Sequence, residues 1–103
     1  MNYQECVEAC QQCIIDCSHC LTSMLGQESN NDCPKCCYEC IIACQTAVQM
    51  MVSDSQYAAQ YCQICAEICQ WCADHCSKHD HDHCQTCAKS CEKCYELCSS
   101  MAA

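Results

Sequence analysis

The apolar positions of this chain recur in steps of three and four, and cysteine fills most of them. Four groups stand out: Cys6, Cys10, Cys13, Cys17 and Cys20; Cys33, Cys36, Cys37, Cys40 and Cys44; Cys62, Cys65, Cys69, Cys72 and Cys76; Cys84, Cys87, Cys91, Cys94 and Cys98. Steps of three and four trace one face of an α-helix, whereas a strand needs steps of two. The second group keeps the rhythm through Cys33, Cys37, Cys40 and Cys44, with Cys36 added beside it.

Punctuation between the groups predicts four helices over about 2–25, 33–52, 55–78 and 82–100. Gly26 is a stop for the first, and Asn30, Asn31 and Asp32 precede Cys33 and Pro34 as a cap with proline in the first turn. Ser53, Asp54 and Ser55 offer caps for the third helix, and Asp80 or Asp82 for the fourth. Short loops make neighbouring helices antiparallel. The expected fold is all-α, one domain over residues 1–103, an up-down-up-down four-helix bundle with a Cys-lined core.

Antiparallel alignment then stacks the thiols in layers. The expected sets are Cys20 with Cys33, Cys76 and Cys84; Cys17 with Cys36 or Cys37, Cys72 and Cys87; Cys13 with Cys40, Cys69 and Cys91; and Cys10 with Cys44, Cys65 and Cys94. At the far end Cys6, Cys62 and Cys98 meet Ala47, Val48 and Met51, an end closed by carbon. A second stripe, Tyr57, Tyr61, Ile64, Ile68 and Trp71, lies beside the Cys face of the third helix, with Ile41 and Val48 or Val7, Ile14 and Leu21 as counterparts elsewhere. It reads as packing between adjacent helices, with association between copies as the other use of such a face.

Composition sharpens this picture. Of 103 residues 20 are Cys, against one Gly and one Pro. Dense cysteine in a short chain usually means a secreted disulfide scaffold, but such scaffolds are rich in Gly and Pro turns. The start Met1, Asn2, Tyr3, Gln4, Glu5, Cys6 has neither the basic opening nor the apolar stretch of an export signal. No apolar run approaches the ~18 residues of a membrane span. The expected setting is therefore a reducing cytoplasm with no membrane partner. Four Lys+Arg against 13 Asp+Glu, a net charge of −9, argue against nucleic acid and for cations.

Twenty thiols on one face are not a core by default, because Leu, Ile and Val bury more area without oxidation risk. Disulfides within a helix are strained, since residues three or four apart hold their Cβ atoms ~5–6 Å apart and a disulfide wants ~3.5–4.5 Å. Metal binding remains, with all 20 Cys as candidate ligands. A tetrathiolate zinc carries −2 at each site, so several in one lumen repel. Cu(I) selects thiolate, and each thiol that exchanges its proton for one Cu(I) leaves the charge unchanged. The expected cargo is many Cu(I) ions. A metallothionein-like zinc or cadmium buffer and a thiol redox protein are the rivals, although no Cys is set apart as a catalytic nucleophile with its own base. The expectation is no enzyme.

All five His fall at one expected end of the bundle: His19, His75, His79, His81 and His83, joined by Met24. They form a candidate entry site where imidazole, thioether and thiolate pass Cu(I) inward, or else a solvated polar turn.

These residues resemble the four-helix-bundle copper storage proteins of bacteria. The resemblance runs through the CxxxC and CxxC steps, the Cys62–Cys76 run, and His79-Asp80-His81-Asp82-His83-Cys84-Gln85-Thr86-Cys87-Ala88-Lys89-Ser90-Cys91. It implies Cu(I) bound by inward Cys thiolates, a copper entrance at the His end, a tetrameric assembly and, without an export signal, the cytosolic branch. The adjacent Cys36 and Cys37 depart from the repeat, and two neighbours cannot both point straight inward.

Overall fold

The computed structural model describes residues 3–26 and 33–102. Four helices follow one another: α1 (Gln4–Ser23), α2 (Cys33–Val52), α3 (Ala58–Cys76) and α4 (Asp82–Ala102). Each packs on its two sequence or ring neighbours, α1 on α2 and α4, α3 on α2 and α4, while the diagonal pairs stay apart among the described residues. The result is a rod of 42 × 19 × 18 Å, about the length of 20-residue helices plus their turns at 1.5 Å per residue.

The core explains that slenderness. All 20 cysteines are buried, accompanied by Ala9, Ala47, Val48, Met51, Ala58, Ala66 and Ala88. Among the described residues no polar or charged side chain is buried. Small side chains let helix axes approach closely, and the seam of each helix is narrow because steps of three and four put only one residue per turn at the centre. Val7, Ile14, Leu21, Ile41, Ile68 and Trp71 pack partly buried against this core. On the surface Ser90 of α4 donates to the Asp16 carboxylate of α1, which also accepts from Gln12.

The turns differ in how they stop the helices. Leu25 N–H donates to the Thr22 carbonyl, and Gly26 then takes φ +80°, the left-handed region that costs glycine nothing. Asn30, Asn31 and Asp32, expected to cap α2, lie outside the described residues; Pro34 is the second residue of α2. After α2, Ser55 N–H donates to Met50 O and Asp54 N–H to Met51 O, the paired bonds of a Schellman stop. Asp54 sits at its left-handed position with φ 53°.

That stop moves the start of α3. The helix begins at Ala58, not at 55, because residues 53–55 are spent on closing α2. Ser55 still helps the next helix: its Oγ accepts from Tyr57 N–H, and its carbonyl from Ala58 N–H. In the last turn between helices, Asp82 is the first residue of α4 and the His81 carbonyl accepts from Cys84 and Gln85. Gln85 Nε2 reaches back to the carbonyls of Ser77 and His79, at 3.2 and 2.6 Å, and pins this turn.

Candidate metal centre

Each helix brings its sulfurs to the axis at intervals of about one turn, and the layers interlock along the rod. Nearest the α3–α4 turn, Cys20 approaches Cys84 at 3.8 Å and Cys33 approaches Cys76 at 3.3 Å. One step deeper Cys17 meets Cys87 at 3.4 Å, and Cys37 meets Cys87 and Cys72 at 3.8 and 4.0 Å. In the next layer Cys13, Cys40, Cys69 and Cys91 are joined by contacts of 3.5–3.6 Å. Beyond it Cys10 meets Cys94 at 3.5 Å, and Cys44 meets Cys65 and Cys94 at 3.8 Å. At the far end Cys6 and Cys98 stand 3.4 Å apart, with Cys62 buried at the same end.

Contacts also run between layers. Cys13 and Cys17, Cys65 and Cys69, and Cys94 and Cys98 are each 3.8 Å apart; Cys72 and Cys76, and Cys87 and Cys91, are each 3.9 Å apart. Across helices Cys17 approaches Cys91 at 3.6 Å and Cys10 approaches Cys98 at 3.7 Å. Groups able to surround one ion include Cys13, Cys40, Cys44 and Cys69; Cys13, Cys17, Cys40 and Cys91; and Cys17, Cys37, Cys72 and Cys87, their sulfurs all within 4.8 Å of one another. These groups share members, Cys13 and Cys40 standing in two of them. Separate tetrahedral ions cannot fill all of them at once, because each needs four thiolates of its own. Bridging thiolates suit the shared members, which is the chemistry of a soft, low-coordinate ion.

Burial weighs on the protons of these thiols. Desolvation, with Cys20 beside it, pushes Cys84 up to about 12. Hydrogen bonding to Cys6 and burial do the same for Cys62, pushed up to about 12. Cys44 is raised by bonds to Cys10 and Cys13, and Cys76 by bonds to Cys20 and Cys33. An ion that enters among them must displace protons, so metal binding here is coupled to proton release.

The two rod ends differ. At the far end Ala47, Val48 and Met51 of α2 and Ala58 of α3 are buried with Cys6, Cys62 and Cys98. At the other end His83 Nδ1 lies 3.3 Å from the Cys20 sulfur and 3.5 Å from that of Cys84. The His81 ring stacks on His83 with centroids 5.3 Å apart, and His19 meets His83 edge-on at 6.3 Å. These three imidazoles and two thiols form one cluster. His75 lies edge-on to Trp71 at 5.8 Å, His79 contributes its carbonyl to the Gln85 staple, and Met24 packs against the core.

Fold and lining together define a class: four-helix bundles whose interior is a stack of thiols open to soft metal ions. Comparison with known proteins makes this specific. The family model described as copper storage protein matches residues 1–103, and the chain belongs to that family. It is similar to a Cu(I)-bound copper storage protein, BsCsp3, with 42% identity, full coverage of both chains and a TM-score of 0.95. It is similar as well to apo-Csp3 from Bacillus subtilis, at 45% identity over 99% of this chain and 100% of that one, TM-score 0.94. A curated relative, the uncharacterized cysteine-rich protein YhjQ of Bacillus subtilis strain 168, is 45% identical over 99% of this chain and 98% of its own length.

Proposed function

We propose that this chain stores Cu(I) and so limits its toxicity, holding many ions through the thiolates of Cys6, Cys10, Cys13, Cys17, Cys20, Cys33, Cys36, Cys37, Cys40, Cys44, Cys62, Cys65, Cys69, Cys72, Cys76, Cys84, Cys87, Cys91, Cys94 and Cys98. The observation that carries this is the unbroken stack of interlocking thiol layers. Each proton exchanged for one Cu(I) leaves the charge unchanged, so the lumen fills without accumulating charge as the load nears one ion per thiol. Likeness to both a Cu(I)-bound and an apo relative at nearly equal TM-scores supports a frame that loads without refolding.

Ions enter at the His end. His83, touching Cys20 and Cys84 and flanked by His19 and His81, offers nitrogen and sulfur donors together. His75, His79 and Met24, at the same end of the rod, complete the proposed approach. The reading includes no catalytic turnover, and its setting is the cytoplasm; no helix among the described residues is long and apolar enough to cross a membrane.

The working form is a homo-oligomer, a tetramer on the family pattern. Support comes from α2 and α3, where Ile42, Tyr57 and Ile64 are about half exposed and Ile42, Tyr61, Ile64 and Ile68 line a groove of about 290 Å³. A Cys lumen supplies little buried carbon, so a second copy on this face adds the apolar burial the core lacks. A monomer by light scattering would end that part of the reading.

Anaerobic titration against a competing Cu(I) chelator tests the storage reading. Saturation at roughly half to one Cu(I) per thiol is expected. Saturation at one or two ions per chain refutes it, and zinc or cadmium retained over copper after growth in mixed metals favours a metallothionein-like buffer.

A further inference from the structure

The turn at the mouth is fastened differently from the turn at the closed end. The α2–α3 turn closes on backbone bonds, with only the short Ser55 side chain assisting. The α3–α4 turn is held by one long side chain. Gln85, half-buried in the first turn of α4, donates from Nε2 to the Ser77 carbonyl at 3.2 Å and to the His79 carbonyl at 2.6 Å. Two carbonyl partners use both amide hydrogens and fix which way the amide faces, because a flipped amide would set oxygen against oxygen. The backbone N–H groups of Cys84 and Gln85 donate to the His81 carbonyl. The turn is thus tied to α4 at Ser77, His79 and His81.

That tie bears on a ring pair that helix geometry alone does not make. Side chains two apart on a helix do not face each other, yet His81 stacks on His83 with ring planes 4° apart. The stack forms because His81 precedes α4, so its backbone follows the turn. Just before His81, the path of the turn is set at the His79 carbonyl that Gln85 holds. Resting on the reading of the His end as the copper entrance, we infer that Gln85 is a positioning residue for ion entry. It binds no ion. By holding the turn it keeps His81 on His83, and so keeps His83 Nδ1 beside the Cys20 and Cys84 sulfurs. With the tie cut, these rings must be ordered anew for each arriving ion, a cost that falls on capture and not on capacity.

Gln85→Met, of similar length and without a donor, cuts the tie. In the reduced, metal-free protein the ring-current shift of the His83 ring protons, read by NMR, should collapse in Gln85→Met as it does in His81→Ala. Stopped-flow uptake from a Cu(I) donor should slow about fivefold, the worth of one net hydrogen bond, while the final copper count stays that of the wild type. Gln85→Lys, whose ammonium can donate to both carbonyls, should keep most of the shift and the rate. In a His81→Ala background, Gln85→Met should slow uptake no further. A residue that only braces the helices would lower the denaturant midpoint and leave the His83 shift and the uptake rate alone. That result, or a slowing that persists in full beside His81→Ala, overturns the inference. If His83→Ala also fails to slow uptake, the entrance reading falls and takes this inference with it; if His83→Ala slows uptake and Gln85→Met does not, the inference alone fails.

Discussion

The two ends of the rod are built from the same repeat and finished in opposite ways. At the closed end the last thiols, Cys6, Cys62 and Cys98, lie against Ala47, Val48, Met51 and Ala58. At the mouth the last thiols, Cys20 and Cys84, touch an imidazole. The closed end supplies most of the non-sulfur burial of the interior, so it carries stability; the mouth supplies donors, so it carries exchange. Substitutions that separate stability from uptake rate therefore test the comparison directly.

The largest effect is expected at the plug. Met51 is 2% exposed, and Met51→Ala should cost the metal-free protein about 2–5 kcal/mol, transfer and cavity together. Urea denaturation measures it. His83→Ala, at a partly exposed ring, should stay below about 1 kcal/mol in the same assay. Equal losses at both ends would remove the division of labour.

Uptake reverses the ranking. A chain carrying His75→Ala, His79→Ala, His81→Ala and His83→Ala should keep its copper capacity but load about tenfold more slowly, the factor that corresponds to 1.4 kcal/mol of lost entry binding. Because His83 alone touches thiols in the described structure, His83→Ala should reproduce most of the slowing. Stopped-flow uptake from a Cu(I) donor decides, and unchanged rates would make the His79–His83 turn a solvated loop and nothing more. Met51→Ala should leave the rate alone.

Much of this was legible beforehand, for a definite reason. A helix converts steps of three and four into one face, and antiparallel packing leaves a single register in which four such faces meet, so the partners of Cys13 or Cys17 follow from counting. Counting failed where backbone chemistry intervenes. The start of α3 slipped from 55 to 58 because Asp54 closes α2 in a left-handed conformation, which Asp tolerates better than most residues but which its presence among possible helix caps does not single out. Whether Cys36 or Cys37 faces the lumen depends on the rotation of α2, which the repeat cannot fix when both neighbours are Cys. His75 shares the end of α3 with the other imidazoles, yet its ring lies on Trp71, four residues back on the same helix face.

pH should expose what the ends have in common. Cys62 at the closed end and Cys84 at the mouth are both pushed up to about 12, against about 8.5 in an unfolded chain. Between those values the folded state holds more protons than the unfolded one, so the stability of the metal-free protein falls as pH rises from about 8.5 toward 12. Below that window the contribution is fully present. Denaturant midpoints across the range should show the decline, and Cys62→Ala or Cys84→Ala should each flatten it. A flattening at one end only would show that the buried thiols do not titrate alike.

The smallest effects belong to the turns, where the two ends again chose differently. Gly26 closes α1 near the mouth at φ +80°, with nothing within 4 Å of an added Cβ. Gly26→Ala therefore meets no clash, and its cost is the left-handed backbone alone, about 1–2 kcal/mol. Asp54 closes α2 at the other end in the same region, with φ 53°, and already bears part of that cost. Asp54→Gly should relieve it, against the entropy glycine loses on folding, for a net gain of about 0.5–1 kcal/mol. Thermal melts of the metal-free protein should move in opposite directions for the two substitutions. A destabilised Asp54→Gly would mean that the Asp54 side chain contributes to the stop itself.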